Sequence, residues 1–337
     1  MVSVESEHLD PLLQRLREAR LVTSNAPVLR PLTGGVSSDI ILVEDAGRCF
    51  VVKQALARLK VKDDWFADTT RNRTEQDFLR YASGILPGSV PQVLYTDMDG
   101  AWFAMEYLGS DWTNWKEALL AGQVNPAWAG FAGETLGRLH RSSWGDPEMG
   151  KRFDTLKNFT ELRIDPYFLT TARRLPEARE FLLNEANKLS RARLALVHGD
   201  FSPKNLMFRG DRIQILDAEV AWFGDPAFDC AFLLTHLHLK ALLLPDLADR
   251  ILGLGSIFWC AYRMALGSRA DAELEQRTVR LLIGILLARI HGKSPVEYLT
   301  RKATRDWVTD RCLSQMVRPP GELTEFTSTW QASIPKA

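Results

Sequence analysis

The sequence predicts an α+β fold of two lobes: a small antiparallel sheet with one key helix, then a larger, mainly helical part. Three observations carry this prediction. Up to Leu108, short β-rich apolar runs alternate with turn signals. From Trp112 onward, apolar residues recur instead at helical spacing. Within that helical part, residues 194–197, 206–208 and 213–216 are three short apolar runs bounded by polar turns, which read as buried strands. The lobe boundary is therefore placed at Leu108, giving residues 1–108 and 109–337.

In order, residues 8–20 set Leu9, Leu12, Leu13 and Leu16 on one face of an amphipathic leading helix. Val28-Leu-Arg-Pro-Leu, a turn holding Gly34 and Gly35, and the run from Ser38 to Val43 make strand, glycine-rich turn, strand. Such a turn lets backbone N–H groups approach phosphates, and a plain hairpin is the simpler alternative. Phe50-Val-Val-Lys53 is a β-rich run with an embedded lysine, which alternation alone would point outward. The long 60–70 connection holds Trp65 and Phe66, which either cover a ligand or dock on the lobe. A helix through Phe78, Leu79 and Ala82 follows, then a hairpin around Met98-Asp-Gly100 ending in Met105-Glu106-Tyr107-Leu108-Gly109.

The second part opens with a short helix at 112–120 and a longer one begun by Asn125-Pro126, with an apolar stripe of Phe131, Leu136 and Leu139. Another helix is expected at 177–189, just before the strand hairpin. Beyond it, helical stripes cover 243–254, 257–265, 274–289 and 298–316. After Pro319-Pro320 the tail reads as polar and peripheral.

Composition narrows the class. Hydrophobic residues make up 46%, as in ordinary globular chains, and 42 Lys and Arg balance 42 Asp and Glu. That balance points away from nucleic acid and from a polybasic membrane contact. The four cysteines form no Cys-x-x-Cys pair, against a zinc site or disulfide framework. The N-terminus is polar, without a signal-peptide pattern, and the apolar stretch 281–288 is short of the ~20 residues a bilayer requires. A cytoplasmic protein, monomeric or homodimeric, is expected.

The chemistry concentrates in the hairpin. His198-Gly-Asp200-Phe-Ser-Pro-Lys-Asn205 puts a carboxylate five residues before a carboxamide, and Asp217 follows the third strand. A base facing a hydroxyl, with oxygen ligands for a divalent ion at phosphates, is what phosphoryl transfer requires. These residues resemble the catalytic core of the aminoglycoside phosphotransferase and choline kinase-like families, relatives of protein kinases. The step from Asp to Asn is that of the kinase His-Arg-Asp-x-x-x-x-Asn signature, with Gly199 for Arg as in small-molecule kinases. Asp217-Ala-Glu219 is similar to the triplet of 5-methylthioribose kinases.

The resemblance spans about residues 28–235 and implies a bilobal protein-kinase-like fold that uses ATP or GTP with Mg²⁺. It makes Asp200 the base, Asn205 and Asp217 the Mg²⁺ ligands, and Glu219 a ligand of a second ion or of the first ion's water shell. Lys53 would hold the α- and β-phosphates, fixed by Glu75 of Arg73-Thr-Glu75-x-x-Phe-Leu, with Asp77 the competing carboxylate. Gly34 and Gly35 with Ser37 or Ser38 would cover the phosphates, and the backbone at Glu106 and Tyr107 would meet the adenine edge. His198 stays neutral on the loop backbone, and Asp229 of Gly224-Asp-Pro-x-x-Asp229 braces the loop from a helix start. His140 is structural. Protein kinases have a lysine where this chain has Ser202, and Lys204 is the nearby alternative.

The implied substrate is a small hydroxylated metabolite, a sugar or thiosugar. Residues 238–337 hold 14 Lys and Arg against 10 Asp and Glu, a poor match for a polycationic aminoglycoside. Arg289 and Lys293 are named as a substrate-facing patch, with helix-end cations that complement the dipole as the alternative. An antibiotic-resistance phosphotransferase is the second function considered. A non-catalytic nucleotide-binding scaffold is the third, disfavoured because Lys53, Asp200, Asn205 and Asp217 are all present. The short step from Asp217 to Pro226 leaves no room for a protein-kinase activation segment.

Overall fold

The computed structural model describes residues 9–32, 37–60, 65–97 and 102–335. The chain forms two compact units, one of residues 1–72 with 91–109, the other of 73–90 with 110–337.

The first unit is built on an antiparallel sheet in the order β1-β2-β3-β5-β4: β1 Val28–Pro31, β2 Ser38–Asp45, β3 Arg48–Ala55, β4 Val93–Thr96 and β5 Trp102–Glu106. A two-residue turn joins β2 to β3, with Ala46 and Gly47 both at positive φ (48° and 79°), the twist a tight hairpin requires. Helix α1, Leu9–Glu18, lays Leu12 and Leu16 on Val43, Phe50, Val52, Trp102 and Ala104. Each large apolar side chain buried this way stabilises by about 1.5–3 kcal/mol. Trp65 is buried while Phe66 is 63% exposed, so of the two aromatics in the long connection only Trp65 docks on the lobe. Arg71, fully buried, donates to the carbonyls of Ser37, Leu56, Ala67 and Asp68 and so pins that connection. The Gly34-Gly35 turn and the Met98-Asp-Gly100 turn lie outside the described residues.

Helix α2, Arg71–Ile85, carries residues 73–90 into the second unit. Phe78 is buried edge-on against His198 (5.2 Å), and Tyr81 Oη lies 3.0 Å from Ser142 Oγ. The sequence reading leaves these residues with the first lobe.

Helix α3, Pro126–Ser143, is capped by the Asn125 side chain, with proline in its first turn. The short 112–120 helix expected from sequence begins at Trp115, after a two-residue strand β6, Thr113–Asn114. Residues 144–176, unread from sequence, include a π-helical segment, Thr160–Leu169. Next come helix α4, Arg179–Arg191, and strands β7 Ala195–Val197, β8 Leu206–Arg209, β9 Arg212–Ile215 and β10 Trp222–Gly224. β7 pairs with β10, and β8 sits between β6 and β9.

Helix α5, Ala227–Leu243, is buried along nearly its whole length. It has no polar face, so it shows no stripe for periodicity to find. The stripes expected at 243–254 and 257–265 are one helix, α6, Ala248–Leu266. It meets α3 at glycines: a Cβ at Gly133 would stand 2.2 Å from Phe258 O, and one at Gly137 would stand 2.7 Å from Tyr262 O. Residues 245–269 are, among the described residues, the one helical stretch apolar and long enough to cross a membrane, and 44% of its apolar window is buried inside the protein. Helices α7, Ala272–His291, and α8, Lys302–Val317, follow. The tail is not peripheral. It forms helix α9, Leu323–Ser333, with Phe326 and Trp330 fully buried.

Candidate active site

The loop after β7 is fixed before any ligand arrives. Gly199 has φ +78°, and a Cβ there would lie 2.7 Å from Val220 O, so both conformation and space require glycine. Asp229, in the first turn of α5, accepts from the N–H groups of His198 (2.7 Å) and Gly199 (2.8 Å). His140 stands behind it, 3.2 Å from Asp229 and 3.0 Å from Tyr262 Oη. His198 Nδ1 accepts from the Asp200 N–H (3.1 Å), so Nε2 carries the proton and donates to Leu216 O (3.1 Å). Burial lowers the pKa of this imidazole further.

Pairing of Leu206 with Ile215 brings the ends of β8 and β9 together, and Leu216 N–H donates to Asn205 O (2.9 Å). Asn205 thus lies beside the strand end that leads into Asp217. Its Nδ2 donates to Asp200 O (2.9 Å), which orients the side chain. Asp217 itself sits at φ 64°, a left-handed conformation that Asp tolerates better than most residues.

Asp200 is 8% exposed, and its carboxylate lies 3.3 Å from both the Arg163 guanidinium and Lys204 Nζ. Lys204 also approaches Asp217, at 3.7 Å. Asp200 foremost raises the Lys204 pKa, against its burial. Arg163 comes from the π-helical segment, donates to Gly199 O (2.6 Å), and lies over the rings of Phe232 and Tyr167 (5.4 and 5.6 Å). Burial opposes its charge, but the fields of Asp200, Tyr167, Glu219 and Asp217 outweigh that, and its pKa is raised. Sequence reasoning missed Arg163. Its one signal was a lone cation within the apolar Leu162-Arg-Ile164 run.

A second set of acids joins them. Ligand oxygens of Glu75, Asp217 and Glu219 lie within 4.8 Å of one another, with Glu75 and Glu219 buried. An all-carboxylate set with an adjacent carboxamide suits a hard cation such as Mg²⁺ or Ca²⁺ rather than a thiolate-seeking metal. The sequence reading named Glu75 for another task and did not foresee this grouping.

The other named residues lie on the sheet or the late helices. Lys53 on β3 is 2% exposed, so it is not an outward residue of an alternating strand. Ser38 is buried, Ser37 O accepts from Leu56 N–H, and Glu106 N–H donates to Gln92 O, with Tyr107 half-buried beside it. Lys293 is paired with Asp165 (3.0 Å), whereas Arg289 turns inward toward Tyr167 Oη (3.3 Å) and Ser294.

The sequence pattern of the phosphotransferase enzyme family matches residues 28–256. The chain belongs to that family. Methylthioribose kinase from Bacillus pumilus (strain SAFR-032) is 30% identical over 220 residues, covering 57% of this chain and 55% of the relative. The enzyme of the same name from Yersinia pseudotuberculosis serotype O:3 is 28% identical over 225 residues, 59% of this chain and 55% of its own. The chain thus spans about half the length of the curated relatives it matches. Among solved structures, amicoumacin kinase with AMP-PNP, Ca²⁺ and Ami aligns at TM-score 0.58 and 16% identity, over 94% of this chain and 96% of that one. Plasmodium vivax ethanolamine kinase aligns at 0.54 and 14%, over 90% and 83%. The streptomycin–ATP–APH(2")-IIa complex aligns at 0.51 and 17%, over 94% and 99%. At these identities the likeness is one of fold, and it is the α+β kinase-like fold expected from sequence.

Proposed function

We propose that this family member is an ATP-dependent kinase that transfers the γ-phosphoryl group to a hydroxyl of a small metabolite, a sugar or thiosugar. One observation carries the reading: a buried carboxylate, Asp200, is held by Arg163 and Lys204 on a loop that Asp229 fixes from behind. Asp200 orients the acceptor hydroxyl and takes its proton as the bond to phosphorus forms. Asp217, Asn205 and Glu219 hold Mg²⁺, with Glu75 at their side; the ion, when bound, supplies neutralising charge at the phosphates. Lys53 positions the α- and β-phosphates, the Gly34-Gly35 turn with Ser37 or Ser38 covers them, and the backbone at Glu106 and Tyr107 takes the adenine. Lys204 supplies the loop cation that Ser202 cannot. His198 takes no part in proton transfer, because both ring nitrogens are engaged by backbone.

ADP release from Mg-ATP tests this, measured over methylthioribose, simple sugars, amino alcohols, homoserine and aminoglycosides, with the Asp200→Asn variant as blank. Turnover on one compound class, absent in the blank, is expected. Equal turnover in the variant would remove Asp200 from its role.

A further inference from the structure

Beside the catalytic loop lies a cluster of basic side chains that the reaction above does not use. His236 and Lys240 stand one turn apart on α5, Arg289 lies on α7, and Lys116 on the short helix Trp115–Leu120. Lys240 is 1% exposed and Arg289 9%. Lys240 Nζ stands 5.1 Å from the Tyr298 ring centre, and neither Lys240 nor Arg289 forms an ion pair among the described residues. Arg289 Nε and Tyr298 Oη are buried with no hydrogen-bond partner among those residues. The nearby carboxylate, Glu297, is taken by Lys116 at 2.5 Å.

This cluster and the catalytic loop share their walls. Arg163 lies over the Tyr167 ring whose hydroxyl accepts from Arg289, and Phe232, beneath Arg163, packs on His236 (5.4 Å). Asn114 caps the helix of Lys116 and donates to Lys204 O (2.7 Å). Two side chains in series, Arg163 and then Tyr167, therefore link Asp200 to Arg289. Two buried cations without a carboxylate weaken a fold, and an incoming anion offsets that penalty.

We propose that Lys240 and Arg289 form the acceptor-specificity subsite, binding an acidic group of the substrate, phosphate ester or carboxylate, while its hydroxyl reaches Asp200. This rests on the kinase reading and narrows it, with Lys240 standing where sequence suggested Lys293. The protonation behaviour agrees. Burial, together with Lys116, lowers the Lys240 pKa to about 7, and burial with Arg289 and Lys240 pushes His236 well below its ordinary value. Bound acid would draw Lys240 back to its charged form.

The test uses ribose, ribonate and ribose 5-phosphate as matched acceptors, against wild type, Lys240→Met and Arg289→Gln. The acidic members should be preferred, and Lys240→Met should raise their KM ten-fold or more with kcat within about three-fold. Below pH 7, where Lys240 is charged, the same variant should melt higher than wild type, since an apolar replacement removes a buried unpaired cation; a structural lysine would make it melt lower. Preference for ribose, or an unchanged KM for the acids, would overturn the proposal while leaving the kinase reading intact. Should none of the three turn over, inorganic phosphate serves as the probe: it should raise the melting temperature of wild type and not of Lys240→Met. An equal rise in both, or no rise in either, would equally overturn it. Loss of Mg-ATP binding in Asp217→Asn tests the kinase reading separately.

Discussion

The acids around Asp200 and the basic groups around Lys240 lie on different elements of the second unit that share walls, yet one set is answered by opposite charge at contact distance and the other is not. Asp200 has Arg163 and Lys204 within 3.3 Å, and Lys204 bridges on toward Asp217. Lys240 has an aromatic face, more cations, and only the field of Glu297, a carboxylate that Lys116 holds. An acid set held by the chain's own cations is organised before substrate binds, as a base must be. A cation set left without counter-charge is organised for something that arrives.

The largest effect should follow from removing the base. Asp200→Asn should lower turnover by on the order of 10²–10⁴-fold while nucleotide affinity, followed by titration, stays near wild type. Next is the balance itself. Arg163→Leu should leave Asp200 without its buried partner and cost about 3 kcal/mol in chemical denaturation, with turnover reduced as well. If Arg163→Leu were neutral in both respects, the contrast between the two clusters would collapse.

The smallest effect is a pH dependence. Lys240 has a folded pKa lowered to about 7 from 10.5. Below that value both states are protonated and the whole burial penalty is present. As the pH rises the folded amine loses its proton while the unfolded one keeps it, so wild type should gain stability relative to Lys240→Met. The gain should be about 1 kcal/mol between roughly pH 7.5 and 8.5, measured by denaturant titration.

What could be read from sequence was what lies contiguous in the chain. The hairpin from His198 to Asp217 declares itself because loop spacing and strand pattern are local, and so do the β-rich runs of the sheet. Burial of charge is not local. Arg163 and Lys240 are lone cations inside apolar runs, and nothing in periodicity tells a snorkelling cation from one closed in by a later helix. Lys53 shows the same limit: alternation points it outward, yet β3 is buried on both faces there. The start of helix α5 was read from its Gly224-Asp-Pro-x-x-Asp229 element, but its extent was hidden by being apolar all round. Helix α9 was hidden by its brevity, since Leu323, Phe326 and Trp330 make a stripe of only three residues after a Pro-Pro break.

The π-helical segment carries a consequence for chain length. Pro166 within it has no N–H, and the wider turn of Thr160–Leu169 accommodates this without ending the helix. Arg163 faces Asp200 and Tyr167 faces Arg289 only because the segment has its present number of residues. Loss of a single codon there would turn the side chains on one side of the gap by about 100° relative to those on the other. Both clusters would lose their alignment at once, with every named residue still present. The gene is thus more tolerant of spelling changes in this stretch than of a change in its letter count.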